Sequence, residues 1–332
     1  MPRSSTATGT TAEPSRPAGN LLRAPEAFYI GRFAPSPTGP LHLGSLLAAA
    51  GSWLDARAVG GQWLLRIEDL DPPREPPGAA EHIIRTLEAF DLWWDGEVLF
   101  QSRRQAAYEE ALQALLAAGL AYPCSCSRAD IAAANATRGR PGDLRYPGTC
   151  RTTAARRPGA RIIRVRTHAE TLLIHDRLQA PFAQSLEQDV GDFVVLRREG
   201  YIAYQLAVVV DDAAQGITDV VRGIDLLDST PRQVFLQRLL GLPTPRYMHL
   251  PIVAGEDGEK LSKQTGAAPV DARDAAEITW QVLAMLGHRP PPEMRGAPPP
   301  ELWAWATACW RPQQLAETRS IRRPDHFSCG AK

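Results

Sequence analysis

The chain has 332 residues, of which 44% are hydrophobic and 22% are charged, proportions typical of folded globular proteins. These values exclude a disordered regulator, a collagen and a coiled coil, and no apolar run approaches the roughly 18 residues that span a bilayer. The 37 lysine and arginine residues balance 37 acidic residues, so a nucleic acid would need a local basic surface rather than the field of the whole molecule. Five cysteines are too few for a disulfide scaffold, which favours a reducing, cytoplasmic compartment.

Strand and helix patterns alternate after a tail, residues 1–24, whose Ser, Thr, Pro, Ala and Gly content predicts disorder. In residues 25–118 we predict strands at 28–33 and 62–68 and helices at 43–59, 79–90 and 105–118. This rhythm is typical of a parallel sheet with helices on its faces.

Residues 119–185 interrupt the rhythm with cysteines, glycines, prolines and arginines, and we interpret them as an inserted module. The alternation returns in residues 186–264. There we predict strands at Leu206–Val210, Ile217–Val221 and Met248–Val253 and a helix that begins at Ser229-Thr230-Pro231. Residues 265–332, with a helix at 272–286 and a Trp-rich stretch, are predicted to form a short helical appendage.

The first motif that carries chemistry is Gly31–Ser45, in which a strand, a tight turn and a helix start follow one another. A helix start presents unpaired N–H groups and a partial positive charge, which suit a phosphate. His42 can donate to a phosphate oxygen, and Gly44 leaves room for a base or ribose. Alternatively, the glycines only shape a turn and His42 caps the helix.

The second motif, Glu259-Lys260-Leu261-Ser262-Lys263-Gln264, follows the last strand of the second half. Two lysines on a loop suit a triphosphate because ammonium groups act as movable point charges. Such a segment alone is more often a solvated surface loop. The pairing with the first motif, at opposite ends of an alternating αβ segment, favours the phosphate-binding interpretation.

These motifs resemble those of the class I aminoacyl-tRNA synthetases. RFAPSPTGPLHLGSL is similar to their HIGH-containing motif and KLSKQ to their KMSKS loop, while RIEDLD, YQLAVVVDD and GITDVVRGIDLL narrow the resemblance to the glutamyl branch. The sequence departs from the pattern at Ser45, Leu261 and Gln264. The resemblance implies a Rossmann-type parallel sheet with helices on both faces and an ATP site made by His42, Gly44, Lys260, Ser262 and Lys263. Catalysis is expected at His42, Gly44 and Lys263.

A site for glutamate must offer cations for two carboxylates and an acid for one ammonium. Arg32 and Arg222 can each bind a carboxylate through two N–H groups, and Glu68 can pair with the ammonium. These three residues fall at predicted strand ends, where doubly wound sheets bind ligands. The resemblance assigns the matching positions, with Tyr204 and Ser36, to glutamate. For any one of the residues alone, a surface salt bridge is the commoner explanation.

The inserted module also carries the residues of a predicted structural zinc site, one per chain. Three of its side chains offer soft ligands, where zinc requires four: Cys124, Cys126 and Cys150. Tyr146 matches the fourth ligand of the family, and Asp143 or His168 are alternatives. Buried free thiols are also common in protein cores, but the polar, turn-rich context argues against that reading. Cys309 and Cys329 lie far downstream, and we expect them to have no role in metal binding.

The same module is rich in arginine between residues 138 and 166, with Asp143 as its one acid. A solvated loop would explain the pattern, but we favour a surface that contacts RNA phosphates. The arginines are Arg138, Arg140, Arg145, Arg151, Arg156, Arg157, Arg161, Arg164 and Arg166.

Only 69 residues follow Lys263, too few for the anticodon-binding domain of a full glutamyl-tRNA synthetase. The resemblance therefore implies a truncated paralogue, a ligase that activates glutamate with ATP and Mg²⁺, without tRNA, and attaches it to queuosine in the anticodon loop of tRNA(Asp). We expect a monomer. The alternatives are a truncated enzyme that charges the 3′ end of tRNA(Glu) and a non-catalytic tRNA-binding module.

Overall fold

A computed structural model describes residues 28–152, 158–255 and 268–322. The predicted disordered tail, the whole second motif, Arg156, Arg157 and Cys329 lie outside these residues. The helices are α1 (Leu43–Arg57), α2 (Ala79–Ala89), α3 (Gln105–Ala117), α4 (Arg128–Thr137), α5 (Tyr204–Ala214), α6 (Thr230–Leu240), α7 (Ala275–Met285) and α8 (Pro299–Cys309). The strands are β1 (Ile30–Phe33), β2 (Gln62–Ile67), β3 (Leu99–Phe100), β4 (Ala121–Cys124), β5 (Ile162–Val165), β6 (Thr171–Ile174), β7 (Phe182–Ser185), β8 (Val194–Leu196), β9 (Asp219–Gly223), β10 (Arg246–Leu250), β11 (Ile252–Ala254) and β12 (Ser320–Arg322).

The strands of the main core run parallel, as the alternating pattern predicts. β1 pairs with β2 and β2 with β3, while β9 pairs with β10. The two groups meet where the Thr218 backbone N–H, just before β9, donates to the Ile30 carbonyl over 2.9 Å. Parallel neighbours need a crossover connection, which α1 supplies between β1 and β2 and α6 between β9 and β10. The predicted α/β class with a parallel sheet is therefore confirmed.

Helix α1 lies at the centre of the core and packs against β1, β2 and β9. Leu46, Leu47 and Leu54 are fully buried. Gly51 allows the close approach of β10, because a Cβ at this position would lie 2.5 Å from a methyl group of Leu250. The Ala-rich composition of this helix thus follows from its burial between strands on one side and the C-terminal helices on the other.

The prediction of a strand at Leu206–Val210 is wrong, because this apolar stretch lies inside α5. Each of Leu206, Ala207, Val208 and Val209 is at most 1% exposed, and α5 packs between α3 and α6. A short, fully buried apolar run has no periodicity that separates helix from strand, and here packing overrides the strand preference of the valines. The predicted strand Met248–Val253 is divided into β10 and β11 at Pro251, which has no N–H to donate.

The segment after residue 119 forms antiparallel sheets, unlike the core. β4, β5 and β8 make one sheet and β6 and β7 a second, so the first of these sheets extends beyond residue 185. The module returns to the core through Asp176, which forms a parallel bridge with Tyr247 of β10.

The C-terminal helices complete the main hydrophobic core. Trp303 of α8 is 1% exposed, its ring lies 5.9 Å from that of Trp53 in α1, and its Nε1–H donates to the Phe90 carbonyl over 2.8 Å. β12 pairs in parallel with β11. Among the described residues, no helix combines the length and the apolar character needed to cross a membrane.

This packing predicts that Trp303→Ala lowers the free energy of unfolding by about 3–5 kcal/mol, because it leaves a large cavity and an unpaired carbonyl. Urea denaturation measures the loss. Trp93→Ala is the matched control, since Trp93 is 51% exposed, and its effect should stay within about 0.5 kcal/mol. Equal losses in the two variants would contradict a core role for α8.

Candidate functional site

A cavity of about 660 Å³ opens at the carboxyl ends of β1, β2 and β9. Ligands of parallel α/β sheets bind at this edge. Every predicted glutamate-binding residue lines the cavity, and so do the two described residues of the predicted ATP site. They are Arg32, Ser36, Glu68, Tyr204 and Arg222 for glutamate and His42 and Gly44 for ATP. The structure therefore brings together side chains that are up to 190 residues apart in sequence.

The start of α1 forms one wall of the cavity. His42 is the N-cap residue, and its Nδ1 accepts from the Ser45 backbone N–H over 3.3 Å. Its Nε2 lies 3.1 Å from the Ser45 hydroxyl. The capping role considered from the sequence is thus real, but it does not remove His42 from the cavity. Gly44 exposes backbone at the same wall, so an anion can approach the N–H groups of the first helical turn.

Lys260, Ser262 and Lys263 lie outside the described residues, but the chain on either side of them reaches the cavity. Ile252 and Val253 of β11 line it. After the gap, Pro269 forms an antiparallel bridge with His42, and the Val270 N–H donates to the Leu41 carbonyl over 3.0 Å. The described chain before residue 256 thus lines the cavity, and the described chain after residue 267 pairs with the start of the first motif's helix.

A chain of alternating charges lies beneath the cavity floor. Asp212 accepts from Arg32 Nε over 3.0 Å and from Arg66 Nη1 over 2.8 Å. Arg66 Nη2 lies 3.4 Å from Glu68 Oε1. Burial alone would raise the pKa of Asp212, but the two guanidinium groups outweigh it and lower that pKa below its ordinary value. Asp212 therefore stays ionised and holds Arg32 in place.

Glu68 is less well compensated than Asp212. Burial raises the pKa of its carboxyl group above the ordinary value, although Arg66 and Arg32 oppose the rise. Its backbone N–H donates to the Pro35 carbonyl over 3.0 Å, which fixes the side chain beside the turn of the first motif. A cationic group bound in the cavity would stabilise the charged form of this side chain.

Arg222 is the opposite case, a buried cation held by uncharged groups. Within the described residues, its guanidinium donates to His249 Nε2 (3.1 Å), the Tyr204 hydroxyl (3.5 Å), the Leu226 carbonyl (3.3 Å) and the Thr230 hydroxyl (2.7 Å). Only 5% of the residue is exposed. The positive charge is therefore available to a carboxylate in the cavity.

The sequence motifs did not identify the residues that hold these arginines. Arg66 and Asp212 occur in quoted segments, RIEDLD and YQLAVVVDD, but received no role of their own. A charged residue in an otherwise apolar strand or helix was the available signal, because burial requires such a group to be paired. His249, Thr230 and Asp176 carry no such signal, since their contacts join distant segments.

The cysteine cluster lies in the inserted module, apart from the cavity. The Sγ atoms of Cys124, Cys126 and Cys150 lie within 4.8 Å of one another and are buried. The Tyr146 hydroxyl joins them, at 3.4 Å from Cys124 Sγ and 3.8 Å from Cys126 Sγ, and it accepts from the Cys150 backbone N–H over 2.7 Å. His168 is about 60% exposed and pairs with Glu170.

The surroundings stabilise negative charge at Cys124 and Cys150 but oppose it at Cys126. Arg164 Nε donates to Cys124 Sγ over 3.3 Å, and its guanidinium lies 4.0 Å from the centre of the Tyr146 ring. Burial raises the pKa of the Cys126 thiol to about 12. At Cys150 burial is outweighed by hydrogen bonds from the Ser125 backbone and the Tyr146 hydroxyl, which lower the pKa to about 6.

The arginines of the module divide into two groups. Four contact charged, sulfur or aromatic groups: Arg145 pairs with Asp143, Arg151 with Asp192 and Glu187, Arg164 contacts Cys124, and Arg166 lies over the Tyr122 ring. A fifth, Arg138, donates to the Pro147 carbonyl over 2.8 Å but stays exposed. The interpretation of the whole run as one RNA-contacting surface is therefore too broad. The described arginines that remain exposed are Arg138, Arg140 and Arg161.

Comparisons with known proteins agree with this architecture. Residues 30–289 match the family of class I tRNA synthetases (E and Q), catalytic domain. A glutamyl-Q tRNA(Asp) synthetase of Thiobacillus denitrificans is 53% identical, covering 90% of this chain and 98% of the relative. Another, of Chromobacterium violaceum, is 56% identical over 86% of this chain and 94% of the relative.

Among solved structures, a glutamate-tRNA synthetase of Elizabethkingia anophelis superposes with a TM-score of 0.75 and 25% identity. The match covers 90% of this chain and 68% of that one. With a family model spanning most of the chain and relatives more than half identical along nearly their whole length, this chain belongs to the class I tRNA synthetases, in the group of the glutamyl-Q tRNA(Asp) synthetases.

Proposed function

We propose that this chain activates L-glutamate with ATP, without tRNA, and transfers it to queuosine in the anticodon loop of tRNA(Asp). The observation that carries the proposal is the charge pattern of the cavity, where the incompletely compensated carboxylate of Glu68 and the guanidinium of Arg222, held by neutral groups, line one ligand space. An amino acid with one ammonium and two carboxylates complements this pattern. The acceptor, tRNA(Asp) that carries queuosine, is inferred from the names of the relatives.

In this proposal Glu68 binds the ammonium group, and Arg32 and Arg222 bind carboxylates. Tyr204 and Ser36 add directional hydrogen bonds. Burial raises the pKa of the Tyr204 hydroxyl, so this group stays protonated and can donate to a carboxylate. The Asp212 carboxylate supports the role of Arg32, because two hydrogen bonds to one edge of the guanidinium leave the other edge for the ligand.

ATP is assigned to the wall formed by the start of α1. His42, Gly44 and the N–H groups of the first turn are suited to phosphate and ribose. The bridge between Pro269 and His42, and the position of Ile252 and Val253 at the cavity, support a role for Lys260, Ser262 and Lys263, which lie between these segments in the sequence. Mg²⁺ would neutralise phosphate charge when bound with ATP.

The reaction then has two steps. A carboxylate oxygen of glutamate attacks the α-phosphorus of ATP, the bond to the bridging oxygen breaks, and pyrophosphate leaves with the negative charge, which His42 and Lys263 stabilise. A hydroxyl of queuosine next attacks the carbonyl carbon of glutamyl-adenylate. The ester bond forms, AMP leaves, and the hydroxyl proton passes to the AMP phosphate or to solvent.

The test measures glutamate-dependent ATP–pyrophosphate exchange and then transfer of labelled glutamate. We expect exchange without tRNA and transfer to tRNA(Asp) only when it carries queuosine. Lys263→Ala should slow exchange at least tenfold and leave the affinity for glutamate nearly unchanged, because its ammonium acts mainly as pyrophosphate leaves.

Two other outcomes would overturn the proposal. Charging of unmodified tRNA(Glu) at its 3′ end would identify an ordinary glutamyl-tRNA synthetase of reduced length. A complete lack of exchange in folded protein that still binds tRNA would identify a non-catalytic tRNA-binding module.

We also propose that the cysteine cluster holds one structural zinc ion through Cys124, Cys126, Cys150 and Tyr146. Zinc–sulfur bonds of about 2.3 Å in a tetrahedron require sulfur–sulfur separations of about 3.7 Å. The 3.5 Å between Cys126 Sγ and Cys150 Sγ and the contacts of the Tyr146 hydroxyl agree with that requirement. The metal would brace the module, far from the reacting atoms.

Cys126→Ala tests the zinc proposal. We expect the bound zinc to fall from one per chain to near zero and the melting temperature to drop, with the exchange rate changed less than twofold at 25 °C. Cys309→Ala removes a thiol outside the cluster and should leave the zinc content at one per chain. Purified wild-type protein without zinc would rule out the site.

The exposed arginines of the module are proposed to contact tRNA phosphates. Arg138 and Arg140 line a second cavity, of about 540 Å³. Arg156 and Arg157, outside the described residues, remain predicted contacts as well. Each lost phosphate contact reduces the dependence of binding on salt.

The double variant Arg138→Ala/Arg140→Ala should therefore weaken binding of tRNA(Asp) about tenfold at low salt and reduce the salt slope by about two, with exchange unchanged. Arg311→Ala/Arg319→Ala removes the same charge from exposed positions near the C-terminal helix. An equal loss of tRNA affinity in this control would show that binding depends on the net charge of the protein and not on Arg138 and Arg140 in particular.

A further inference from the structure

Arg222 is hydrogen-bonded to a buried histidine, which in turn binds a buried aspartate from another part of the chain. His249 of β10 lies opposite Arg222 of β9 in the strand register. Asp176, in the segment between β6 and β7, binds the far side of the imidazole, with 2.6 Å between Nδ1 and Oδ2. Both side chains are fully buried. No role for Asp176 or His249 follows from the sequence motifs.

The hydrogen bonds determine which nitrogen of His249 carries the proton. Arg222 is always protonated, so its Nε–H can only donate, and His249 Nε2 must accept through its lone pair. The proton is therefore on Nδ1, where it is donated to Asp176. Asp176 is kept ionised, because hydrogen bonds from His249 and from the Leu178 and Gln179 backbones outweigh its burial and lower its pKa.

The neutral state of the imidazole agrees with its surroundings. Burial lowers the pKa of His249 below its ordinary value, and the nearby Arg222 charge acts in the same direction, while Asp176 opposes both. Tyr247, which stacks on the ring at 6.1 Å between centres, and the Thr230 hydroxyl, 3.2 Å from Nε2, are uncharged. Asp225 also acts on the ring and, like Asp176, raises its pKa.

We propose that Asp176 and His249 are positioning residues that hold Arg222 for a substrate carboxylate. A carboxylate in direct contact with Arg222 would orient the guanidinium equally well but would compete with the ligand for it. The neutral imidazole orients Nε of Arg222 by a hydrogen bond. The negative charge of Asp176 lies behind the imidazole and does not contact Arg222, so the guanidinium keeps its positive potential toward the cavity. This inference rests on the proposed binding of glutamate by Arg222.

Two amide substitutions distinguish the contact at Nε2 of the imidazole from the contact at Nδ1. In His249→Gln the amide lies near the former Nε2 position, so its oxygen can accept from Arg222. In His249→Asn the amide lies near the former Nδ1 position, where it can bind Asp176 but cannot reach Arg222. Both variants remove the ring, and a role limited to packing would lower the melting temperature, more in the smaller His249→Asn, and would raise KM for ATP together with KM for glutamate.

The experiment measures KM for glutamate and KM for ATP in pyrophosphate exchange, together with the melting temperature of each variant. We expect KM for glutamate to rise roughly tenfold or more in His249→Asn and by less than about threefold in His249→Gln, as for the loss of a hydrogen bond to a charged group. KM for ATP should stay within about twofold of the wild-type value in both.

Equal increases in the two variants, a larger one in His249→Gln, or parallel increases for ATP would overturn the inference. A measurement on the wild-type protein does not depend on the folding of variants: ¹⁵N–¹H spectra of histidine-labelled protein should show a neutral imidazole with its proton on Nδ1 at pH 7. An Nε2–H or charged ring at His249 would also overturn it. Wild-type protein without glutamate-dependent exchange would instead refute the proposed function.

Discussion

The shared carboxylate of Asp212 is the interaction on which the site depends. It comes from α5 in the second half of the core and binds Arg32 of β1 and Arg66 of β2, both in the first half. Three charges are thereby buried together, and loss of Asp212 would leave the buried Arg32 without its carboxylate partner, which costs several kcal/mol. The same contact fixes the distance between the halves, and the cavity lies between them.

The cavity wall away from Asp212 is supported in a different way. Arg222 has no direct carboxylate partner among the described residues and is oriented by His249, Thr230 and two further neutral acceptors. The inserted module takes part through Asp176, and Gln179 adds a hydrogen bond to the His249 carbonyl. The module is therefore coupled to the amino-acid end of the site as well as carrying the cysteine cluster.

The sequence predicted the cavity-lining residues better than the elements that carry them. Arg32, Glu68 and Arg222 were expected at strand ends, and the structure places all three at one edge of the parallel strands. Tyr204, two residues before the stretch predicted as a strand, begins α5. The prediction for Leu206–Val210 failed because this stretch is buried on every side. Its sequence therefore lacks the alternation of polar and apolar residues that distinguishes a strand from a helix.

The sequence by itself determined the family, the parallel α/β class, the residues that line the cavity and the three cysteines, because each depends on local patterns or short motifs. Only the tertiary structure decided how the charges are paired, that Arg164 serves the cysteine cluster rather than the surface, and that Asp176 reaches His249. These contacts join residues dozens to more than a hundred positions apart. Pairing at such separations is set by the packing of whole elements, and no spacing rule encodes it.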